Sequence, residues 1–333
     1  MESKIMVSIL CATYNHEKYI RQCLEGFLQQ KTDFQFEVIV HDDASTDGTA
    51  AIVREYEEKY PEIIKPIYQK ENQYSKGISI DKTYMRPKVR GKYVAICEGD
   101  DFWISPLKLQ KQVDALENTP SCHMSVHAVR LYSENGKPLD RTMPDPLDEK
   151  SCVINSRDFL LKIAEEYCYQ TVSYFLRSED YMKYWHEYPL FKQVSRTGDY
   201  PYMLYFAQLG AIYYIGEVLA GHRMEGVSSW TKNYISKREN VIPHWEKEVK
   251  MFEEYDKYTK EQYHDICVIA INRVTYEKSI RLGEYRELIK KKYRCFLKKA
   301  SINMQRYIIL CAIFPRLVPK LYKFIKEIKN DKS

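Results

Sequence analysis

The sequence predicts an α/β chain: a doubly wound, mostly parallel sheet followed by a helical C-terminal extension. Three observations carry this expectation. Short apolar runs of strand length alternate with stretches of helical periodicity through the first 120 or so residues. Two of those runs stop abruptly at carboxylates. Beyond about residue 230 the chain loses its strand signals and becomes rich in Lys, Glu and Tyr.

Taken in order, residues 6–12 read as a buried first strand with the polar exit Thr13-Tyr14-Asn15-His16. A helix then sets Ile20, Cys23, Leu24, Phe27 and Leu28 on one face, the i, i+3, i+4 spacing of an amphipathic helix lying on a sheet. Residues 36–40 are the second strand, and Ser45 or Thr46 is placed to cap the helix carrying Ile52, Val53, Tyr56 and Tyr60. Residues 64–68 form a third strand, 70–77 a loop, and a fourth strand begins at Tyr93. Ser105-Pro106 supplies a cap and a first-turn proline for a helix over 107–116. Residues 122–132 are a strand, with Asn135-Gly136 as a hairpin turn. Residues 141–148 read as a loop, 156–166 as a helix, 171–176 as a strand, and Ser178 as the cap of a short helix. A helix over 199–208 precedes two short strands at 211–215 and 217–221. In the extension, Tyr263, Cys267, Ala270, Ile271 and Val274 mark one apolar helical face.

Composition bounds the class. At 333 residues and 44% hydrophobic content the chain suits a large domain with an appendage. Its nine cysteines are scattered without a CxxC pair, which favours free thiols in a reducing cytosol over a disulfide framework or a zinc site. No apolar signal segment follows the basic start, and no run approaches the eighteen or so apolar residues that span a bilayer. The expected location is cytoplasmic, or peripheral on the inner face of the cell membrane. The net charge of +5 is unevenly placed: residues 290–333 hold thirteen Lys/Arg against two Asp/Glu, so the rest is net acidic. Ile308-Ile309-Leu310-Cys311-Ala312-Ile313-Phe314 lies within that basic stretch, which favours an anionic membrane surface as partner. No base-reading motif accompanies the charge, so nucleic acid is not expected.

The chemistry concentrates at two strand exits, Glu98-Gly99-Asp100-Asp101-Phe102-Trp103 and Asp42-Asp43-Ala44-Ser45-Thr46-Asp47-Gly48-Thr49. Carboxylates at a strand exit can converge on a hard divalent cation, Mg²⁺ or Mn²⁺, with substrate phosphates completing its shell. Acidic exits on one rim suggest a shared site, where open α/β sheets bind their ligands. A solvated acidic turn is the plainer reading of either exit alone.

With Val7-Ser8-Ile9-Leu10-Cys11-Ala12-Thr13-Tyr14-Asn15 in front of these exits, residues 5–230 resemble a family 2 glycosyltransferase of the GT-A fold. The resemblance implies a nucleotide-sugar donor, usually a UDP-sugar, and inversion at the anomeric carbon. It implies a nucleotide half (1–103), an acceptor half (about 122–230) and a helical extension (231–333). Tyr14 and the backbone at Ala12 and Thr13 would flank the uracil, with Asp43 hydrogen-bonding it. Asp100 would face ribose and metal, and Asp101 would hold the metal. Asp199 stands where the family has its general base, but Gly198 replaces the customary glutamate before it. Arg223 would contact the phosphates. Glu98, in place of the first Asp of the DxD motif, Trp103 and Glu225 are further possibilities.

The expected acceptor is a hydroxyl of a glycan or lipid-linked molecule in surface polysaccharide synthesis. Two other classes fit part of the pattern. A metal-dependent nucleotidyltransferase would use similar carboxylates, but no Gly-rich basic triphosphate loop follows the first strand. A catalytically lapsed nucleotide-sugar-binding or membrane scaffold protein would account for the missing glutamate.

Overall fold

The computed structural model describes residues 5–145, 147–166, 168–195, 197–224, 238–315 and 317–318. Ten strands form one sheet: β1 (Val7–Thr13), β2 (Phe36–Asp42), β3 (Ile64–Tyr68), β4 (Tyr93–Ile96), β5 (Phe102–Trp103), β6 (Cys122–Tyr132), β7 (Pro138–Met143), β8 (Cys152–Ile154), β9 (Phe175–Arg177) and β10 (Ala211–Arg223). The order is β3-β2-β1-β4-β9-β6-β10-β5, with β7 against β6 and β8 against β10. β1 to β4 are parallel, and β6 and β10 run with them; β5, β7, β8 and β9 are antiparallel to their neighbours.

Among the described residues there are twelve α-helices: α1 (Ile20–Leu28), α2 (Thr49–Lys59), α3 (Lys108–Asn118), α4 (Ser156–Glu165), α5 (Ser178–Glu187), α6 (Leu190–Val194), α7 (Asp199–Leu209), α8 (Arg238–Tyr258), α9 (His264–Leu282), α10 (Tyr285–Leu288), α11 (Arg294–Lys299) and α12 (Ile302–Ile313). Because successive strand side chains point to opposite faces, the central strands feed two cores. Val7, Ile9, Cys11, Val38 and Val40 pack against α1, α2 and α3. Leu10, Ile39 and Val94 face the other way, toward a core that α4, α5 and α7 to α9 complete. Both faces are covered, as the sequence predicts for a doubly wound sheet.

Several local expectations are corrected. β7 reaches into the first three residues of the segment read as a loop, pairing Thr142 and Met143 with β6, while the rest of it is irregular. The expected strand at 171–176 is a 3₁₀ turn (Thr171–Ser173) running into β9. The two short strands after α7 are one strand, β10, with a register shift between Ile215 and Val218. Gly216 lies in that shift because a Cβ there would come within 2.3 Å of the Glu149 backbone. At α2 the helix start is satisfied by Asp47, whose Oδ1 accepts from the Thr49 amide at 2.9 Å, and not by Ser45 or Thr46. Ser178 is the first residue of α5 and makes no side-chain cap; the capping position is Arg177.

Candidate active site

The carboxylates gather where β1, β2 and β4 end, and local hydrogen bonds lace these exits together. Asn15 and Ala44 adopt positive φ (56° and 61°), turning the chain sharply after β1 and β2. The Asn15 amide donates to Ser45 Oγ at 2.9 Å, and Asn15 Oδ1 accepts from the Thr46 amide at 2.8 Å. Glu17 accepts from the Gly48 amide at 3.1 Å. From the other side, the Gly99 amide donates to Ala12 O at 2.9 Å. A Cβ on Gly99 would meet Thr13 Oγ1 at 2.7 Å and His16 Nδ1 at 2.9 Å, so only glycine lets the acidic loop lie this close. Tyr14 is left partly exposed beside that junction.

Asp101 is the centre of the site. It is buried, and its carboxylate accepts from His222 Nδ1 at 2.9 Å and from the Arg223 amide at 3.0 Å. Burial works against a charged imidazole, yet the carboxylates of Asp101, Asp100 and Glu98 hold the His222 pKa up, at about 9. Asp100 is raised by enclosure and by Asp101, while His16, 3.9 Å away, pulls it down. Glu98 is open to solvent yet closely ringed by protein; enclosure first, then Asp100 and Asp101, raise its carboxyl above the usual range. Asp199, at the start of α7, adds to that upward shift, so it lies within electrostatic reach of Glu98. Its Oδ1 accepts from the Tyr200 amide at 2.8 Å.

Two residues expected at the donor, and Trp103 beside them, are engaged by other parts of the protein. Asp43 accepts from the Gln73 and Tyr74 amides at 2.8 and 3.0 Å; it is buried and clamps this loop. Arg223 is also buried, its guanidinium bonded to the Asp100 carbonyl and to Gln22 Oε1 and held near the rings of Tyr19 and Phe102. It braces the acidic loop through the Asp100 backbone. Trp103 is a packing residue: 2% exposed, edge-on to Phe27, with Lys108 Nζ 4.1 Å from its ring centroid. Glu225 lies outside the described residues.

Two residues escaped the sequence reading. His222 is one; its adjacency to Arg223 was visible, but its pairing with Asp101 needs β10 to lie beside β5, as the Gly221–Phe102 register shows. Glu248 on α8 is the other. It lies 3.7 Å from His244, and burial, opposed by Arg273 and aided by Glu277 and Asp199, lifts it to about 7. It thus brings a second carboxylate toward Asp199 from outside the expected acceptor half. Lys192 of α6 also senses Asp199: burial lowers its pKa against the pull of Asp81 and Asp199.

No three His, Cys, Asp or Glu side chains form a preformed metal cage among the described residues. Asp101 offers one hard oxygen, and His222 would offer an imidazole nitrogen once an arriving cation displaces its proton, a donor pair suited to a cation that takes further ligands from phosphates and water.

The acidic loop at the end of β4, within electrostatic reach of a carboxylate at a helix start, invites comparison with known proteins. The profile described as glycosyl transferase family 2 matches residues 8–178, half of the chain. The chain belongs to this family. Among curated relatives, this family 2 protein is 34% identical over 143 residues to the putative teichuronic acid biosynthesis glycosyltransferase TuaG of Bacillus subtilis, covering 43% of this chain and 54% of TuaG. It is 44% identical over 130 residues to the uncharacterized protein Rv1520 of Mycobacterium tuberculosis, covering 39% of this chain and 37% of that one. The matches therefore span about half or less of these relatives' length. Among solved structures, S. aureus TarS in complex with UDP superposes with a TM-score of 0.54 at 17% identity, over 90% of this chain and 77% of TarS. The mannosyltransferase PcManGT of Pyrobaculum calidifontis, in complex with GDP-Man and Mn²⁺, gives 0.50 at 16% identity over 95% and 89%. At such identities the likeness is one of fold, and the fold is GT-A.

Proposed function

We propose that the chain is an inverting glycosyltransferase. It moves a sugar from a nucleoside-diphosphate sugar, UDP-linked by preference, to a hydroxyl of a glycan or lipid-linked acceptor in surface polysaccharide synthesis. The observation that carries this reading is the acidic loop Glu98-Gly99-Asp100-Asp101 at the end of β4, near enough to Asp199 for Glu98 to feel its charge. The UDP bound by TarS, the GDP-Man and Mn²⁺ bound by PcManGT, and the likeness to a putative teichuronic acid biosynthesis glycosyltransferase support the donor class and the polysaccharide setting.

In this reading residues 1–103 hold the nucleotide. Tyr14 and the backbone at Ala12 and Thr13 flank the base, Asp100 faces the ribose, and Asp43 acts indirectly by fixing the loop at Gln73 and Tyr74. Residues 122–230 present the acceptor, and the helices after 231 support that half. Asp101 and His222 would hold a divalent cation, Mn²⁺ or Mg²⁺, which supplies Lewis-acid stabilisation of the diphosphate leaving group when bound. Asp199 takes the proton of the acceptor hydroxyl as its oxygen attacks, a role worth roughly 10²–10⁴ in rate. Arg223 keeps the Asp100 backbone in place.

The test is a panel of nucleotide sugars assayed for nucleoside diphosphate release with candidate glycan and lipid-linked acceptors, followed by anomeric analysis of the product. Acceptor-dependent UDP release with inversion supports the proposal. Diphosphate production from UTP and a sugar phosphate would assign nucleotidyl transfer instead, and binding without turnover a lapsed enzyme.

A further inference from the structure

Helix α12 is attached along one side only. Ile308, Cys311 and Ala312 are buried, Arg286 Nε donates to the Ala312 carbonyl at 3.3 Å, and Tyr307 meets Tyr285 edge-on at 5.7 Å. On the outer side Ile302, Ile309, Leu310, Ile313, Phe314 and Leu317 are between 43 and 67% exposed. At 100° per residue the four helical members of this set fall within one sector, and Arg306, also exposed, lies inside it. An apolar face of this extent on water is unfavourable unless something covers it.

We propose that this face of α12 is a membrane-docking surface that seats on an anionic bilayer, independently of which sugar the enzyme transfers. Charge selects this occupant. The face sits within residues 290–333, where thirteen Lys/Arg meet two Asp/Glu, while the remainder of the chain is net acidic. A second copy of the same face would bring like charge against like charge, and a nucleic acid would leave the apolar residues uncovered. An anionic lipid surface satisfies both halves: acyl chains receive the isoleucines and Phe314, and headgroups receive the basic side chains, with Arg306 reaching up along its own aliphatic stem. The geometry also limits the mode. α12 is twelve residues long, and no described helix is long and apolar enough to cross a membrane. It lies in the interface.

The experiment is vesicle co-sedimentation of the full chain with phosphatidylcholine alone or mixed with phosphatidylglycerol, beside the double variant I309E/I313E. Both positions are well exposed, so the variant should keep the wild-type circular dichroism melt. The wild type should pellet with phosphatidylglycerol vesicles, be partly released by high salt, and stay in solution with phosphatidylcholine. The variant should lose about tenfold or more of its partitioning, and Arg306→Glu should lose less. The proposal is overturned if the wild type fails to pellet or the folded variant pellets equally. It is also overturned if I309E/I313E instead abolishes self-association in sedimentation velocity, which would assign the face to a second copy.

Discussion

His222 sets its Nδ1 2.9 Å from a carboxylate oxygen of Asp101, joining residues 121 apart in the chain. If the pair holds a cation together with the donor diphosphate, its members should fail together. Losing even an outer partner of a metal site costs about 10–100-fold in affinity, so His222→Ala and Asp101→Ala should each weaken UDP binding at least that much in Mn²⁺. Without metal, calorimetry should show little change. The double variant should be hardly worse than either single one, because the two act as a unit.

Asp199→Asn should reduce transfer by roughly 10²–10⁴ while nucleotide-sugar affinity and thermal stability stay near wild type. The amide oxygen of asparagine can still accept from Tyr200, so the helix start is kept. Near wild-type turnover with a verified acceptor would move the base to another residue.

Trp103 makes the opposite pattern. Removing a buried indole costs about 3–5 kcal/mol, so Trp103→Ala should lower the denaturation midpoint strongly, and Trp103→Phe much less. A normal midpoint with a raised acceptor KM would show that the ring contacts sugar.

Gly99→Ala should disturb nucleotide binding more than stability, because its methyl would press on Thr13 and His16 at the junction of β1 and the acidic loop. Calorimetry with UDP and a thermal melt on the same sample separate the two effects.

Lys108 links stability to pH. It is fully buried, its amine 2.6 Å from Gln112 Oε1, and burial lowers its pKa to about 7. Between that value and the ordinary lysine value of 10.5 the unfolded chain holds the extra proton, so this residue makes stability rise with pH across the window. Lys108→Met should be more stable than wild type at neutral pH. Melts at several pH values should show the difference shrinking toward pH 10.5.

How far the sequence could be read follows from where its information is local. β3 and β6 appear at the expected residues because their apolar runs are bounded by turn-forming or polar neighbours. β7 was hidden by Pro144 and its polar content, and β10 was divided in two by Gly216-Glu217, where the strand bulges but continues. The acidic exits were legible as a site because three carboxylates around one glycine are unusual at a strand end. The partners of those carboxylates were not. Asp43 is engaged by amides thirty residues on, Asp101 by a histidine from the far edge of the sheet, and Asp199 is approached by Glu248 from a helix assigned to the extension. Each contact depends on tertiary neighbours that no short window contains.

Beneath Glu98, the thiols of Cys11, Cys23 and Cys97 sit in contact, with Cys23 Sγ 3.9 Å from each of the others. All three are buried, and burial raises Cys23 and Cys97, the latter to about 11. Cys295 on α11, by contrast, is exposed, the only one of the nine that is. A maleimide dye added at neutral pH should therefore mark Cys295 selectively and leave the cleft chemically untouched. Because α11 immediately precedes α12, the enzyme carries its own attachment point for a fluorophore whose colour would report the proposed docking of α12, with no engineered cysteine required.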